Sequence, residues 1–226
     1  MKFGTAGKAI ALLVLVAVAG AAFLAWKRGS DRDVRAPAQI EDYLFWQTKT
    51  LSDFQLKRAG NVTLGLGDLS GKWTFLFFGY THCPDICPVT LAVLGQAFRI
   101  IDQTPELASE AQGLFISVDP GRDTPELLAD YAAFFDKRLI GATGSVAQLD
   151  AISRQIGVFY TIQQPEAGRP ADSYQVTHSS TIFLVDPQGR LYAKFPPPHD
   201  AQEMARAFRM IHAFHNERSG KKWLFF

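Results

Sequence analysis

Residues 72–88 read KWTFLFFGYTHCPDICP, an apolar run at 73–78 that passes directly into a turn holding the chain's two cysteines, Cys83 and Cys87. An apolar run of this length without alternation is typical of a strand that is covered on both faces. Structural disulfides usually join distant parts of a chain, because closing a longer loop removes more entropy from the unfolded state. A bridge across three residues closes almost nothing. The pair is therefore a redox couple or part of a metal site.

Helical and extended patterns alternate on either side of this turn. Residues 50–70 form short extended pieces with glycine turns. The order β-α-β-α-(β)-α-β-β-α from residue 72 onward predicts an α/β domain with a thioredoxin-like fold, in which helices flank a central mixed β-sheet. The predicted segments are strand 72–80, helix 88–101, strand 113–118, helix 123–135, extended 139–143, helix 145–155, strand 158–163, a hairpin of 181–186 with 190–195, and helix 200–216.

The N-terminal region contains an unbroken apolar stretch, AIALLVLVAVAGAAFLAW, at residues 9–26. This length is at the lower limit for a helix that spans a bilayer and exceeds most signal-peptide cores. We therefore expect a transmembrane anchor rather than a cleaved signal peptide. The predicted organisation is a short cytoplasmic tail (1–8), the anchor (9–26), a tether (27–45), the thioredoxin-like domain (46–218) and a C-terminal tail (219–226). The domain would lie outside the cytoplasm, where disulfides persist.

Charge is balanced along the chain, with 23 Lys and Arg residues against 22 Asp and Glu residues and no basic stripe. Proteins whose main partner is a nucleic acid concentrate positive charge on one face. The composition therefore argues against nucleic acid as the main partner. With 47% hydrophobic and 12% aromatic residues, the chain can bury a substantial core.

The spacing of the two cysteines favours a shared metal ion. Thiol oxidoreductases usually have two residues between their cysteines, whereas three separate Cys83 from Cys87. If both are helical, side chains at i and i+4 share one face with Cβ atoms about 5–6 Å apart, which suits two sulfurs on one ion. An unstrained disulfide needs Cβ atoms about 4 Å apart. Irregular backbone at Cys83 would close that gap, so a reversible disulfide stays open as an alternative.

A metal held by two thiolates needs a third donor, and His178 is the best placed of the five histidines. It lies in the loop 173–180, before a predicted strand, and in a thioredoxin-like domain that loop faces the redox turn. The other histidines are expected elsewhere: His82 beside a ligand but pointing away, His199 in a surface loop, and His212 with His215 on a solvated helix face. Two thiolates and one imidazole favour copper, Cu(I) or Cu(II), whereas zinc usually takes a fourth ligand.

Three blocks, GYTHCPDICP (79–88), ISVDPGRDTPE (116–126) and YQVTHSSTIFLVDPQGR (174–190), give the chain a resemblance to the Sco/SenC family of membrane-anchored copper proteins. The resemblance extends from about residue 50 to about residue 214. It implies a thioredoxin-like domain that carries one copper per chain through Cys83, Cys87 and His178.

The resemblance also implies partners and a location. It predicts delivery of copper to, or reduction of, the dinuclear copper site in subunit II of cytochrome c oxidase. Other copper chaperones and a thioredoxin-like reductant are further expected partners. The implied location is the bacterial inner membrane, crossed once, with the domain in the periplasm.

One position departs from the family pattern. Many members carry Asp directly before the histidine, where this chain has Thr177, which cannot supply a carboxylate to the imidazole. Asp119 and Asp85 are the carboxylates expected near the site, either supporting the ligands or serving as caps of turns.

Two functional alternatives accompany the copper-binding assembly factor. The first is a thiol–disulfide oxidoreductase that acts on extracytoplasmic protein cysteines without an obligatory metal. The second is a peroxidase of the peroxiredoxin type, which is weakly supported because the proline and threonine expected before its cysteine are not at the usual spacing from Cys83.

Overall fold

The structure is a computed structural model that describes residues 14–15, 18–20, 35–163, 168, 170 and 173–219. Most of the predicted anchor at 9–26, all of the tail 1–8, part of the tether and nearly all of the tail 219–226 lie outside these residues. Within them, no helix combines the length and the apolar character needed to cross a membrane. Residues Ala38–Ile211 form one compact unit, and this unit holds the sheet and the candidate site.

The described residues form strands and helices that alternate after an N-terminal β-rich region. The strands are β1 (Leu44–Thr50), β2 (Leu56–Arg58), β3 (Val62–Leu64), β4 (Trp73–Gly79), β5 (Ala111–Ser117), β6 (Leu139–Ala142), β7 (Tyr160–Ile162), β8 (Val176–His178), β9 (Ile182–Val185) and β10 (Arg190–Phe195). The helices are α1 (Ala38–Glu41), α2 (Ile86–Ile101), α3 (Pro105–Glu110), α4 (Pro125–Phe135), α5 (Val146–Ile156) and α6 (Ala201–Arg218).

A six-stranded mixed sheet organises the fold, with the strand order β1-β10-β9-β4-β5-β6. Strands β4, β5 and β6 are parallel, whereas β9, β10 and β1 join by antiparallel pairs. Strands β2 with β3 and β7 with β8 form two separate two-stranded ladders. The predicted mixed sheet and the predicted β9–β10 hairpin are therefore confirmed.

The centre of the sheet is covered on both faces, because all seven residues of β4 and all seven of β5 are buried. On one face, the Phe75 ring contacts the rings of Phe98 on α2 and Phe208 on α6, with centroids 5.4 and 5.1 Å away. Such edge-to-face pairs are the favoured arrangement of buried aromatic rings. This packing fixes β4, the strand that leads into the cysteine turn, in the core.

Local signals in the sequence account for the helices near the site. The Thr124 side chain accepts a hydrogen bond from the Leu127 N–H at 3.2 Å, and Pro125 occupies the first turn of α4. In α5, Ser145 and Gln148 form a capping box, and Gly157 ends the helix with a left-handed φ of 85°. Caps of this kind supply partners to the unpaired backbone groups of helix ends. Both helices therefore begin where the sequence predicts.

One prediction about α6 is wrong. His212 and His215 were expected on a solvated face, yet they are only 4% and 5% exposed. The physical reason is the helical period: each lies four residues after a buried apolar residue, Phe208 and Ile211, and so shares their side of the helix. The Asn216 side-chain amide lies 3.3 Å from Nδ1 of His212.

Candidate metal centre

The cysteine turn joins β4 to α2 and places both sulfurs at the start of the helix. Cys87 lies in the first turn of α2 and is fully buried, whereas Cys83 precedes the helix and is 9% exposed. The Cys87 backbone N–H donates a hydrogen bond to Cys83 Sγ at 3.4 Å, so this sulfur accepts from an N–H that the helix leaves unpaired. Of the two backbone conformations that the sequence left open at Cys83, the structure has the irregular one, and it directs the sulfur toward the helix N-terminus.

Gly79, the last residue of β4, leaves the space that the Cys87 sulfur occupies. A Cβ atom at this position would lie 2.8 Å from Cys87 Sγ and 2.8 Å from a ring carbon of Phe115. Real Cβ atoms do not approach other heavy atoms this closely, so only glycine fits without displacing a neighbour. Gly79 is thus part of the pocket in which the Cys87 sulfur lies.

His178 is the last residue of β8, and its imidazole contacts a cysteine sulfur. Its Nε2 lies 3.1 Å from Cys87 Sγ, and its Nδ1 lies 3.0 Å from the carbonyl oxygen of Ser179. Because a carbonyl only accepts, Nδ1 carries the proton and Nε2 presents its lone pair to the site. The rings of Phe77 and Tyr80 lie edge-on to the imidazole, with centroids 6.0 and 5.8 Å away.

The three side chains form a group that fits a soft metal ion. The sulfurs of Cys83 and Cys87 and the imidazole nitrogen of His178 all lie within 4.8 Å of one another. For an ion bound at about 2.3 Å from sulfur and about 2.0 Å from nitrogen, ligand atoms lie roughly 3.5–4 Å apart. The group therefore needs only small shifts to surround an ion. Thiolate sulfur with imidazole is a donor set suited to copper or zinc.

Burial sets the protonation of the contacting pair. Burial raises the pKa of the Cys87 thiol well above its ordinary value, and burial also lowers the pKa of His178. Both shifts favour the neutral form, because a charge is costly to bury without compensation. The Cys87 thiol therefore donates its proton toward the neutral Nε2 of His178 across the 3.1 Å contact.

These shifts predict how the stability of the reduced protein without copper depends on pH. The raised Cys87 pKa means that, above about pH 8.5, the unfolded chain ionises this thiol while the folded chain does not, so stability is lost as the pH rises. The lowered His178 pKa means that stability is lost as the pH falls below about 6.5.

Urea unfolding between pH 6 and pH 9.5 measures this dependence. We expect the free energy of unfolding to fall by up to about 1.4 kcal/mol per pH unit above pH 8.5 through Cys87 alone. A Cys87→Ser variant removes that contribution, so its alkaline slope is smaller. Identical slopes for the two proteins would contradict the inferred protonation of Cys87.

The remaining candidate histidines lie apart from this group. The His82 side chain is 53% exposed, its Nδ1 lies 3.1 Å from the Thr81 hydroxyl and 3.7 Å from Asp123 Oδ1, and it does not join the three-ligand group. His199 is half-buried rather than fully at the surface, and its Nε2 lies 2.7 Å from the carbonyl oxygen of Ser180. This contact draws the loop that follows β10 toward the segment just after His178.

Position 177 faces away from the candidate site. Side chains alternate along a strand, and in β8 Val176 is buried, Thr177 exposed and His178 half-buried. The Thr177 hydroxyl accepts a hydrogen bond from the Gln163 amide at 3.4 Å. The Ser179 carbonyl, instead of a carboxylate at position 177, holds the imidazole in its tautomer.

The two candidate carboxylates have different environments. Asp85 is exposed directly before α2, where its backbone carbonyl accepts from the Val89 N–H at 3.3 Å. Asp119 is fully buried and accepts hydrogen bonds from the Arg122 guanidinium and the Tyr174 hydroxyl, each at 2.5 Å. Asp119 thus acts on the segment that leads to His178 rather than on a sulfur.

Sequence reasoning did not identify Asp123, which supports the cysteine turn. This carboxylate is 1% exposed and accepts from the Thr81 N–H at 2.9 Å, the Thr81 hydroxyl at 2.5 Å and the Ser117 hydroxyl at 2.5 Å. Such buried carboxylate hydrogen bonds orient the backbone that carries a ligand. The signal was available, because Asp123 lies in the block 116–126.

Comparisons with known proteins agree with this geometry. The SCO1/SenC family model matches residues 46–213, which is well over half of the chain. Protein SCO2, mitochondrial, of Saccharomyces cerevisiae is 35% identical over 164 residues, which are 70% of this chain and 53% of the yeast protein. The match therefore spans about half the length of this curated relative.

Two solved structures extend the likeness to three dimensions. The crystal structure of Arabidopsis thaliana ScoI with copper bound has a TM-score of 0.65 and 32% identity, covering 72% of this chain and 98% of that chain. Bradyrhizobium japonicum ScoI with copper bound has a TM-score of 0.61 and 32% identity, covering 70% of this chain and 98% of that chain. With the family model matched across the sheet and the Cys-Cys-His group, this chain belongs to the SCO1/SenC family.

Proposed function

We propose that this protein is a membrane-anchored assembly factor that binds one copper ion through Cys83, Cys87 and His178. Its cargo would go to the dinuclear copper site of cytochrome c oxidase subunit II, or the protein would reduce the cysteines of that site. The single observation that carries the proposal is the convergence of the three ligand atoms within 4.8 Å. Two similar structures, from Arabidopsis thaliana and Bradyrhizobium japonicum, have copper bound.

The arrangement suits an ion that must be both accepted and handed over. Three donors leave room for a ligand from a partner, whereas a closed structural site usually has four. Cys83 keeps 9% of its surface exposed while Cys87 is fully buried, so a partner's ligand would approach from the side of Cys83. Soft sulfur donors favour Cu(I), and the imidazole also suits Cu(II).

The proposal includes a location. The apolar stretch at 9–26 would anchor the chain as a single transmembrane helix in the bacterial inner membrane, with tail 1–8 in the cytoplasm. Tether 27–45 would then connect the anchor to the domain at 46–218 in the periplasm, followed by tail 219–226. In that compartment, other copper chaperones would supply the ion, and a thioredoxin-like reductant would keep the thiols reduced.

A thiol–disulfide oxidoreductase is the second candidate, and the proximity of the two sulfurs favours it. Both cysteines are free in the structure, and their sulfurs lie within 4.8 Å of each other. Oxidation of the pair to a disulfide would remove both thiolates, so the redox state would control copper loading. In this alternative, His178 is dispensable.

Copper titration of the reduced full-length chain in detergent distinguishes the two functions. We expect one copper per chain, with an intense Cu(II)–thiolate absorption band. His178→Ala should weaken Cu(II) binding by more than the roughly 10–100-fold that loss of an outer partner of a ligand costs. The thiol reduction potential should change far less, because both cysteines are retained.

His82→Ala is the matched control, because this histidine adjoins Cys83 but is exposed and lies outside the three-ligand group. It should bind copper like the wild-type protein. Full Cu(II) affinity in His178→Ala would contradict the three-ligand site. Sustained disulfide-reductase turnover by a wild-type protein that binds no copper would favour the second candidate.

A further inference from the structure

His178 lies on a strand that belongs to a small ladder of its own. Strand β8 pairs with β7, with His178 opposite Tyr160, and the six-stranded order β1-β10-β9-β4-β5-β6 does not include either strand. The cysteine turn, in contrast, extends directly from β4 at the centre of the large sheet. The chain links His178 to the large sheet through residues 179–181, which lead into β9, and side-chain contacts act beside this link to hold the imidazole near the sulfurs.

A cluster that joins the β5–α4 connection to the segment before β8 provides such contacts, and we call its three members, the buried Asp119 and the half-buried Arg122 and Tyr174, the clamp. The Asp119 carboxylate accepts from Arg122 Nε and from the Tyr174 hydroxyl, each at 2.5 Å. Arg122 Nη1 donates to the Tyr174 carbonyl oxygen at 3.0 Å, and its Cζ lies 3.8 Å from the centroid of the Tyr174 ring. Tyr174 is thus held by its backbone, its ring and its hydroxyl.

The hydrogen bond between Tyr174 and Asp119 is stable across the physiological pH range. Partial burial and the hydrogen bond to Asp119 raise the pKa of Tyr174 to about 12. The hydroxyl therefore stays protonated and remains a donor at physiological pH. Asp119 is fully buried, and buried hydrogen bonds to a charged group are stronger than neutral ones.

Tyr80 connects the clamp to the imidazole. The Arg122 Cζ lies 5.6 Å from the centroid of the Tyr80 ring, and the Tyr80 hydroxyl donates to Gln175 Oε1 at 3.4 Å. The same ring meets the His178 ring edge-on at 5.8 Å. Tyr174, four residues before His178, and Tyr80, three residues before Cys83, therefore meet at one guanidinium.

We infer that Arg122 and Tyr174 are positioning residues for His178, and that with Asp119 they hold the histidine strand against the cysteine turn. The inference rests on the proposed copper-binding function. In this inference, the state of the clamp determines whether the copper site has three ligands or two. With the clamp closed, two thiolates and an imidazole face the ion. With the clamp open, the two thiolates alone remain.

The number of ligands affects the binding of Cu(I) and of Cu(II) differently. Two thiolates are sufficient soft donors for Cu(I), whereas Cu(II) gains from the imidazole. The cysteine turn has an anchor besides the clamp, because the Asp123 carboxylate accepts hydrogen bonds from Thr81 and Ser117 whether or not Tyr174 is held. Opening the clamp should therefore weaken Cu(II) binding selectively.

Tyr174→Phe and Arg122→Gln in the reduced full-length chain test the inference. We expect Cu(II) affinity to fall about 10–100-fold in each variant while Cu(I) affinity stays within about threefold. Arg122→Lys keeps the charge but not the planar fork, so its Cu(II) affinity should fall between those of the wild type and Arg122→Gln. Nitrogen NMR of the His178 ring in the copper-free protein should show exchange broadening or altered Nε2 shifts in Tyr174→Phe and Arg122→Gln.

The chain offers matched controls that contain the same chemistry elsewhere. Arg138 also pairs with two carboxylates, Asp102 and Asp136, and its Cζ lies 4.6 Å from the Phe98 ring centroid. Tyr43 likewise donates to a carboxylate, that of Glu203, at 3.1 Å. Arg138→Gln and Tyr43→Phe should therefore leave both copper affinities and the His178 resonances unchanged.

These measurements can contradict the positioning role of the clamp and the proposed copper-binding function separately. Unchanged Cu(II) affinity in both clamp variants, or equal losses of Cu(I) and Cu(II), would overturn the positioning role. If the wild-type protein binds no copper, the proposed function fails, and the His178 resonances still decide the inference. Resonances that match the wild type in both variants would then overturn it, whereas shifted or broadened ones would support it.

Discussion

Cys87→Ser is expected to reduce Cu(I) affinity about a thousandfold or more, because it replaces a soft thiolate with a hydroxyl that Cu(I) binds poorly. The fold should tolerate the change. A serine hydroxyl can still donate to His178 Nε2, the present partner of the thiol at 3.1 Å. We therefore expect the free energy of unfolding to change by only about 1 kcal/mol. Competition with a chromophoric Cu(I) chelator measures the affinity.

Thr90→Ser is the matched control, because it makes a small polar change in the same helix, at a residue that is 1% exposed. It should retain wild-type Cu(I) affinity. A Cys87→Ser protein that binds Cu(I) as tightly as this control would show that the buried sulfur is not a ligand. The same result would leave Cys83 as the only sulfur ligand and would contradict the three-ligand site.

Gly79→Ala is expected to impair both stability and copper binding. The added methyl group would lie 2.8 Å from Cys87 Sγ and 2.8 Å from the Phe115 ring, so at least one of them must move. Overpacking of this kind typically costs about 1–3 kcal/mol. Because the nearest displaced atom is a proposed ligand, copper affinity should fall together with the free energy of unfolding. Urea unfolding and copper competition on one preparation measure both effects.

Gly67→Ala controls for the general effect of replacing a glycine. A Cβ atom at Gly67 would meet no described atom within 4 Å, so stability and copper affinity should stay close to those of the wild type. If Gly79→Ala behaved like this control, the packing of β4 against the Cys87 sulfur would be described incorrectly. Loss of stability with unchanged copper affinity would show that Phe115 moves and the sulfur does not.

The central part of the fold could be predicted because its signals are local. The apolar run at 73–78 lies within β4, and the threonine and proline before residue 126 start α4 as expected. Strand β1 was not predicted. Its sequence, LFWQTKT, is mostly exposed, and it becomes a strand by pairing with β10, more than 130 residues away. Such long-range pairing leaves little trace in the local pattern.

The candidate site likewise has residues that the sequence predicts and residues that only the folded chain brings together. Cys83 and Cys87 were evident from their turn, and His178 followed from the position of its loop in a thioredoxin-like fold. The clamp was not evident, because Arg122 and Tyr174 are 52 residues apart and meet only in the folded chain. The burial of His212 and His215 follows from their helical phase relative to Phe208 and Ile211, a signal that their polarity conceals in the sequence.

Copper K-edge X-ray absorption of the reduced full-length chain, loaded with one equivalent of Cu(II), tests the central claim most directly. The three ligand atoms that converge within 4.8 Å predict a first coordination sphere of two sulfurs and one nitrogen, with the outer-shell scattering of a single imidazole. The imidazole contribution should disappear in His178→Ala. A spectrum with fewer than two sulfurs, or with the same imidazole signal in both proteins, would contradict a copper site built from Cys83, Cys87 and His178.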